Sequence, residues 1–253
     1  MSEKAEDSGK LEIVTPQGHE EDDKPKKMRM AKKNACDSCG KCCGMGGPVL
    51  QKEDMGLLMS GTLSQDSLYA VREGELVFVP GEQEPKEFFI EVIKVKEKNE
   101  GGECFFYEGS GTCRIYENRP AQCRDYQCWA PSECLTGIDS TRILRKDIFG
   151  GVPFLMDAIA RHNEKCSYEK LGVSLARAAG GDEEGMEDVI DMLQYDNSLR
   201  ELLKEKLGIT PDAADLVLGR PLIKTINAFG FYVVQEGETF TIMPIETERK
   251  ETP

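Results

Sequence analysis

Four thiols fall within eight residues in the stretch Cys36-Asp37-Ser38-Cys39-Gly40-Lys41-Cys42-Cys43. Two consecutive two-residue gaps let Cys36, Cys39 and Cys42 converge on one point, because each gap is a tight backbone turn. Adjacent side chains diverge, so Cys43 is expected to reach a second centre or to close the first from another angle. Gly40 supplies a residue free to take positive φ inside the loop. Gly44, Gly46 and Gly47 then let the backbone wrap closely around whatever is bound. Thiolates select zinc, Cu(I) and iron–sulfur clusters, so the chemistry implied is that of a soft-metal or iron–sulfur site. A second group, Cys104, Cys113, Cys123 and Cys128, lies about sixty residues further on.

The two groups together carry a resemblance. A CxxCxxCC run is followed by Cys113-Arg114-Ile115-Tyr116-Glu117-Asn118-Arg119-Pro120-Ala121-Gln122-Cys123-Arg124-Asp125-Tyr126-Gln127-Cys128. This combination resembles the YkgJ-type cysteine-cluster family of zinc- or iron-chelating domains, over about residues 34 to 135. The resemblance implies metal binding and brings no defined reaction with it. Eight cysteines match the pattern: Cys36, Cys39, Cys42, Cys43, Cys104, Cys113, Cys123 and Cys128. Eight thiolates suffice for two four-thiolate sites.

The metal stays open between two readings. Structural zinc usually collects two separated CxxC pairs. The CxxCxxC run is closer to ferredoxin spacing, where three close thiolates hold a four-iron cluster and a distant cysteine completes it. That tips the reading towards a 4Fe–4S cluster over Zn²⁺, although adjacent Cys42 and Cys43 are not a ferredoxin feature. Histidine contributes little. His19 lies in the charged N-terminal stretch, and His162 falls on an expected helix, as a surface or satisfied residue. Cys134 could substitute in a site, whereas Cys166 reads as a buried or free thiol. Four thiolates around Zn²⁺ leave a formal charge of −2, which Lys41, Arg119 and Arg124 are placed to offset. Glu53 and Asp54 read as solvated carboxylates at a helix start or as acids behind the site. The chain has no P-loop, HExxH or GxSxG motif.

Composition bounds the remainder. The chain has 253 residues, 39% hydrophobic and 31% charged, which fits a globular protein with polar tails. No apolar run approaches the roughly 20 residues of a membrane span. The N-terminus lacks the basic and apolar regions of a secretory signal, so the expected compartment is the cytoplasm. Ten cysteines there argue for metal ligation over disulfides. A net charge of −14 disfavours nucleic acid and anionic membranes as partners and suits a protein partner with a basic face.

The elements that must position these thiols follow from the pattern. Residues 1–33 read as a disordered charged tail. Residues 34–138 read as a cysteine-cluster domain, and residues 139–253 as a mainly helical region ending in a β-hairpin. Within 49–75 the loosely helical spacing of Leu50, Met55, Leu57, Leu58, Leu63, Leu68, Tyr69 and Val71 predicts two short helices. Strands are expected at 76–80 and 88–96, with a break at Pro80-Gly81 between them. A glycine-turn hairpin is expected over 105–116, and Pro120 opens a short helix carrying Cys123. Trp129 reads as a lid or core residue.

Beyond this, helices are expected over Arg142–Ile148 (capped by Asp139 or Ser140), Phe154–Asn163 and Tyr168–Ala179. Gly180–Gly185 reads as a linker before the apolar stripe Met186, Val189, Ile190 and Leu193. Ser198 to Glu201 reads as a capping box starting a further helix, Leu199–Leu207. Thr210 and Pro211 open another, and residues 231–243 form a hairpin.

The fold class is therefore α+β: a small metal-stapled domain with short strands, then a helical region. The function expected is a metal-binding electron-transfer or accessory subunit acting with a protein partner. The alternatives are a metal-dependent enzyme with an open coordination position, a structural zinc protein and a thiol redox sensor.

Overall fold

A computed structural model describes residues 36–78, 84–98, 102–127, 141–237 and 239–245, all within one unit, Ala35–Pro253. The expected tail with His19, the Pro80-Gly81 break, Cys128, Trp129, Cys134 and the cap at Asp139 or Ser140 lie outside the described residues.

The strand that organises the N-terminal half is β1 (Leu68–Val71), all four residues of which are buried. It pairs antiparallel with β4 (Val92–Val95), Leu68 opposite Val95 and Val71 opposite Val92. Leu68 and Ala70 face the main core, while Tyr69 and Val71 face a smaller cluster with Val92. That period of two is what makes the segment a strand. The second helix expected here is absent: after α1 (Met55–Met59) the chain turns at Gly61, whose φ is +75°, and a 3-10 turn at Gln65–Ser67 leads directly into β1.

Three more antiparallel pairs follow, which makes the architecture α+β. They are β2 (Glu75–Val77) with β3 (Lys86–Phe88), β5 (Tyr107–Gly109) with β6 (Thr112–Cys113), and β7 (Phe231–Glu236) with β8 (Thr239–Pro244). The hairpin expected at 105–116 is β5–β6, and the C-terminal one is β7–β8. The residues expected in one strand at 88–96 divide between β3 and β4.

Among the described residues, the helices after α1 are α2 (Ala121–Asp125), α3 (Arg145–Phe149), α4 (Pro153–Lys165), α5 (Tyr168–Ala179), α6 (Glu183–Leu207), α7 (Pro211–Leu218) and α8 (Leu222–Thr225). Pro120 precedes α2, and Thr210 caps α7 by accepting from Ala213 N at 3.0 Å, both as the sequence predicts. The break expected before Ser198 does not occur. The 25 residues of α6 run unbroken from an Asp182 cap to Gly208 at φ +65°, a length of about 37 Å. Val189, Met192, Leu193, Asp196 and Leu203 bury one continuous face, and exposed Ser198 costs that face little.

Two apolar cores result. The first joins Leu50, Leu68, Ile93, Cys104 and Phe106 to Ile143, Phe149, Leu155, Leu203, Leu216 and Leu218. The second gathers Cys166, Tyr168, Leu171, Leu175, Val189, Leu193, Leu222 and Phe240. Each such side chain contributes roughly 1.5–3 kcal/mol on burial. Two buried polar networks tie the cores together. Arg145, 1% exposed, places Nη2 2.6 Å from Glu91 Oε2 and donates through Nη1 to the Val217 carbonyl at 3.0 Å. The Asp196 carboxylate takes His162 Nε2 (2.8 Å), Arg200 Nε (3.1 Å) and Leu222 N (2.9 Å).

Candidate metal centre

The loop carrying Cys36 to Cys43 is seated by glycines on the β5–β6 hairpin that carries Cys113. Gly40 lies at φ +75°, and a Cβ there would run into the Tyr107 ring and hydroxyl. On the other side, a Cβ on Gly111 at the hairpin tip would run into the Ser38 carbonyl. Gly44 N donates to the Gly40 carbonyl at 2.9 Å, and Cys43–Met45 forms one 3-10 turn. Cys104 N then donates to the Cys43 carbonyl at 2.8 Å, and Phe105 N to that of Lys96 at 2.9 Å. Backbone bonds thus fix Cys104 beside Cys43. Hairpin register places Cys113 opposite Tyr107.

Cys123 comes from α2, whose position is set by two long-range bonds. Asp54 Oδ1 accepts from Ala121 N at 2.8 Å, and Gln122 Oε1 accepts from Val49 N at 2.6 Å. The other Asp54 oxygen accepts from Gln51 N at 2.9 Å. Asp54 is fully buried, which corrects the reading of it as a solvated helix-start carboxylate. Burial raises its pKa against the lowering effect of the two amides.

Five thiols drawn from these segments act on one another. Cys42, burial, and the neighbouring Cys104 and Cys123 push the Cys43 pKa far up. Cys42, at φ −69° and ψ −32°, starts the 3-10 turn that carries Cys43. Burial pushes Cys123 up to about 12, helped by Cys104, Cys42 and Cys113 and opposed by Arg119. Burial also raises Cys104, and Cys113 and Glu97 add to the rise. All three shifts run in one direction: negative charge is costly here unless a cation compensates it.

Of the remaining cysteines, Cys36 and Cys39 are exposed, with Ser38 N 3.4 Å from Cys36 Sγ. The eight described cysteines are free thiols. Cys166 is buried in the second core, its Sγ 3.6 Å from the Met192 carbonyl, and burial raises it to about 12. It is the buried thiol the sequence suggests. His162 is buried on α4 and only half satisfied: its Nε2 lies 2.8 Å from Asp196 Oδ1, while Nδ1 is buried without a hydrogen-bond partner among the described residues.

The three basic residues separate. Arg119 stacks on Tyr116 with 3.8 Å between guanidinium carbon and ring centre, and its charge bears on Cys123. Arg124 pairs with Glu53 at 2.6 Å. Lys41 is exposed on the loop. Sequence reasoning missed Glu97, which accepts from Gly47 N at 3.2 Å, pairs with Lys94 and sits in a bridge with Cys104. Its only local signal was a carboxylate between two cysteine groups.

Among the described residues, no three or more Cys, His, Asp or Glu side chains lie together so that they could hold a metal ion. The donor chemistry nevertheless fits a thiophilic ion: five reduced sulfurs, no competing imidazole and a pocket that disfavours uncompensated thiolates.

Residues 35–146 match the model of the CxxCxxCC family, described as "Putative zinc- or iron-chelating domain". The match spans both cysteine groups. No curated protein and no solved structure matches the chain. Among the described residues, no helix is long and apolar enough to cross a membrane.

Proposed function

We propose that this protein chelates zinc or iron through Cys42, Cys43, Cys104, Cys113 and Cys123, with Cys128 of the same matched segment as a further donor. The observation that carries the reading is the match of residues 35–146 to a zinc- or iron-chelating domain, with the Cys104 N–H bonded to the Cys43 carbonyl at 2.8 Å to tie the CxxCxxCC loop to the second thiol group. Binding an ion there replaces thiol protons by a metal and removes the electrostatic cost that holds the pKa values high.

The zinc- or iron-chelating description of the matched domain supports a mononuclear shell, in which zinc–sulfur bonds of about 2.3 Å set ligand sulfurs about 3.8 Å apart. A 4Fe–4S cluster places each cysteine on a different iron, further from its neighbours. The second reading, a 4Fe–4S cluster, is favoured by the CxxCxxC spacing. In either case Arg119 is the base placed to offset the excess negative charge of the thiolates. The wider role is that of an accessory or electron-transfer protein beside a protein partner, for which the net charge of −14 favours a basic face.

Anaerobic purification followed by elemental analysis and an absorption spectrum tests the reading. Stoichiometric zinc in a colourless protein identifies the mononuclear site. A brown protein with iron and sulfide identifies the cluster. Protein with neither metal after loading with either ion overturns the proposal.

A further inference from the structure

We infer that the groove between α6 and β8 is a docking site for an extended, basic segment of a protein partner, with lysine or arginine at alternate positions. This site is independent of the thiols. It rests on the partner reading above and gives that partner a place and a sequence pattern.

The groove follows from the helical period. Gln194, Asn197, Glu201 and Glu205 recur at three- and four-residue steps, so they share one face of α6. Together with Leu202 and Phe240 they line a cavity of about 470 Å³. Phe240 comes from β8 and is 7% exposed, held in the second core, whereas Leu202 is 48% exposed. From Gln194 to Glu205 the helix rises about 16 Å. Spread over that length, the volume leaves a channel roughly 5 Å across, which admits an extended chain and excludes a helix of about 10 Å diameter.

Charge and spacing select the occupant. Two of the residues lining the cavity are carboxylates and none is a cation. Glu201 and Glu205 are about one turn apart, about 6 Å along the axis. Side chains on one face of an extended chain repeat at about 6.6 Å, so two basic residues in such a row meet the two carboxylates in step. Glu201 also meets Lys204 at 3.4 Å, but both side chains are more than half exposed, and such a pair competes little. The alkyl stems of lysine and arginine cover Leu202 and Phe240 while their charged heads reach the carboxylates. A bare small cation has no use for that apolar surface. Gln194 and Asn197 present amide groups to the N–H and C=O groups of an extended backbone. With a net charge of −14, a second copy of this chain is repelled and a basic segment is drawn in.

The test uses the full chain and a fluorescein-labelled peptide, Lys-Thr-Arg-Thr-Lys-Thr, followed by fluorescence anisotropy at low salt. The peptide should bind, and the same residues in the order Lys-Lys-Arg-Thr-Thr-Thr should bind at least threefold more weakly. Glu201→Gln/Glu205→Gln should weaken binding about tenfold, and Leu202→Ser should weaken it as well. Glu164→Gln/Glu169→Gln removes the same charge from exposed positions outside the groove and should leave binding unchanged. All five side chains are exposed, so every variant should melt as wild type does. Equal losses in the two double variants would assign the attraction to the acidic surface as a whole: the groove then fails while a basic partner stands. Equal binding of the two peptides overturns the extended row. If neither peptide binds, the groove and the basic-partner reading fall together.

Discussion

The carboxylate of Asp54 accepts a hydrogen bond from the backbone N–H of Ala121, 67 residues away in sequence, at 2.8 Å. One buried side chain thus couples the segment after the CxxCxxCC loop to the first turn of α2, two residues before Cys123. Removing it by Asp54→Ala leaves the amides of Gln51 and Ala121 buried without an acceptor. The expected loss is about 2–3 kcal/mol, read from urea unfolding. Cys123 should also be alkylated faster in the variant than in wild type. Unchanged alkylation would show that α2 is held by other contacts.

The seating of the loop predicts a graded glycine series. Gly111→Ala forces a Cβ against the Ser38 main chain, which has little freedom to yield, and Gly111 lies at φ +83°. Gly40→Ala meets the Tyr107 side chain, also from a positive φ. Gly44→Ala meets nothing within 4 Å. Thermal melting should therefore rank the variants Gly44→Ala above Gly40→Ala above Gly111→Ala. The last should cost at least about 2 kcal/mol and reduce bound metal.

Acid should destabilise the second core before it protonates ordinary carboxylates. Burial lowers His162 from 6.5 to about 4 despite its bond to Asp196. Between those values the unfolded chain binds a proton that the folded chain refuses, so stability falls as pH falls from 6.5 to 4. The size of this contribution is on the order of 3 kcal/mol. Asp196 is held well below the usual carboxylate range by His162 and Arg200, against the opposing effect of burial. Its contribution is present above the unfolded carboxylate pKa and is lost at still lower pH. His162→Gln keeps a donor towards Asp196 but does not titrate. It should flatten the pH dependence of the urea midpoint between 6.5 and 4, and a slope equal to wild type would refute the assignment.

Glu91→Ala should be among the most damaging single changes away from the thiols. It leaves the 1%-exposed guanidinium of Arg145 without its carboxylate, an arrangement that typically costs about 3–5 kcal/mol. The Arg145→Met/Glu91→Leu pair, which removes both charges, should recover much of that loss in the same unfolding assay.

The parts legible in the sequence were those decided by neighbours along the chain. The β5–β6 hairpin announced itself by its glycines, α7 by Thr210 and Pro211, and the thiol loop by its spacing. Cys166 was recognisable because it fell outside the family pattern. The parts that were not legible depend on partners far away. Leu68, Tyr69 and Val71 fit a helical spacing loosely, and only burial from two sides turns them into β1. Ser198 and Glu201 satisfy the letter of a capping box, but the packing of Leu199 and Leu203 into the first core carries the helix through them. Asp54 and Glu97 carried only weak local signals, since their meaning lies in Ala121, Gly47 and Cys104.

Cys104 and Phe106 sit in the same apolar core as Leu216 and Leu218. The inner thiols are therefore not an appendage that can melt by itself. Occupying them shifts the folding equilibrium of the whole core by mass action, by RT ln(1 + [ion]/Kd). The ion's concentration thereby becomes a thermostat for helices near the far end of the chain that carry no sulfur of their own.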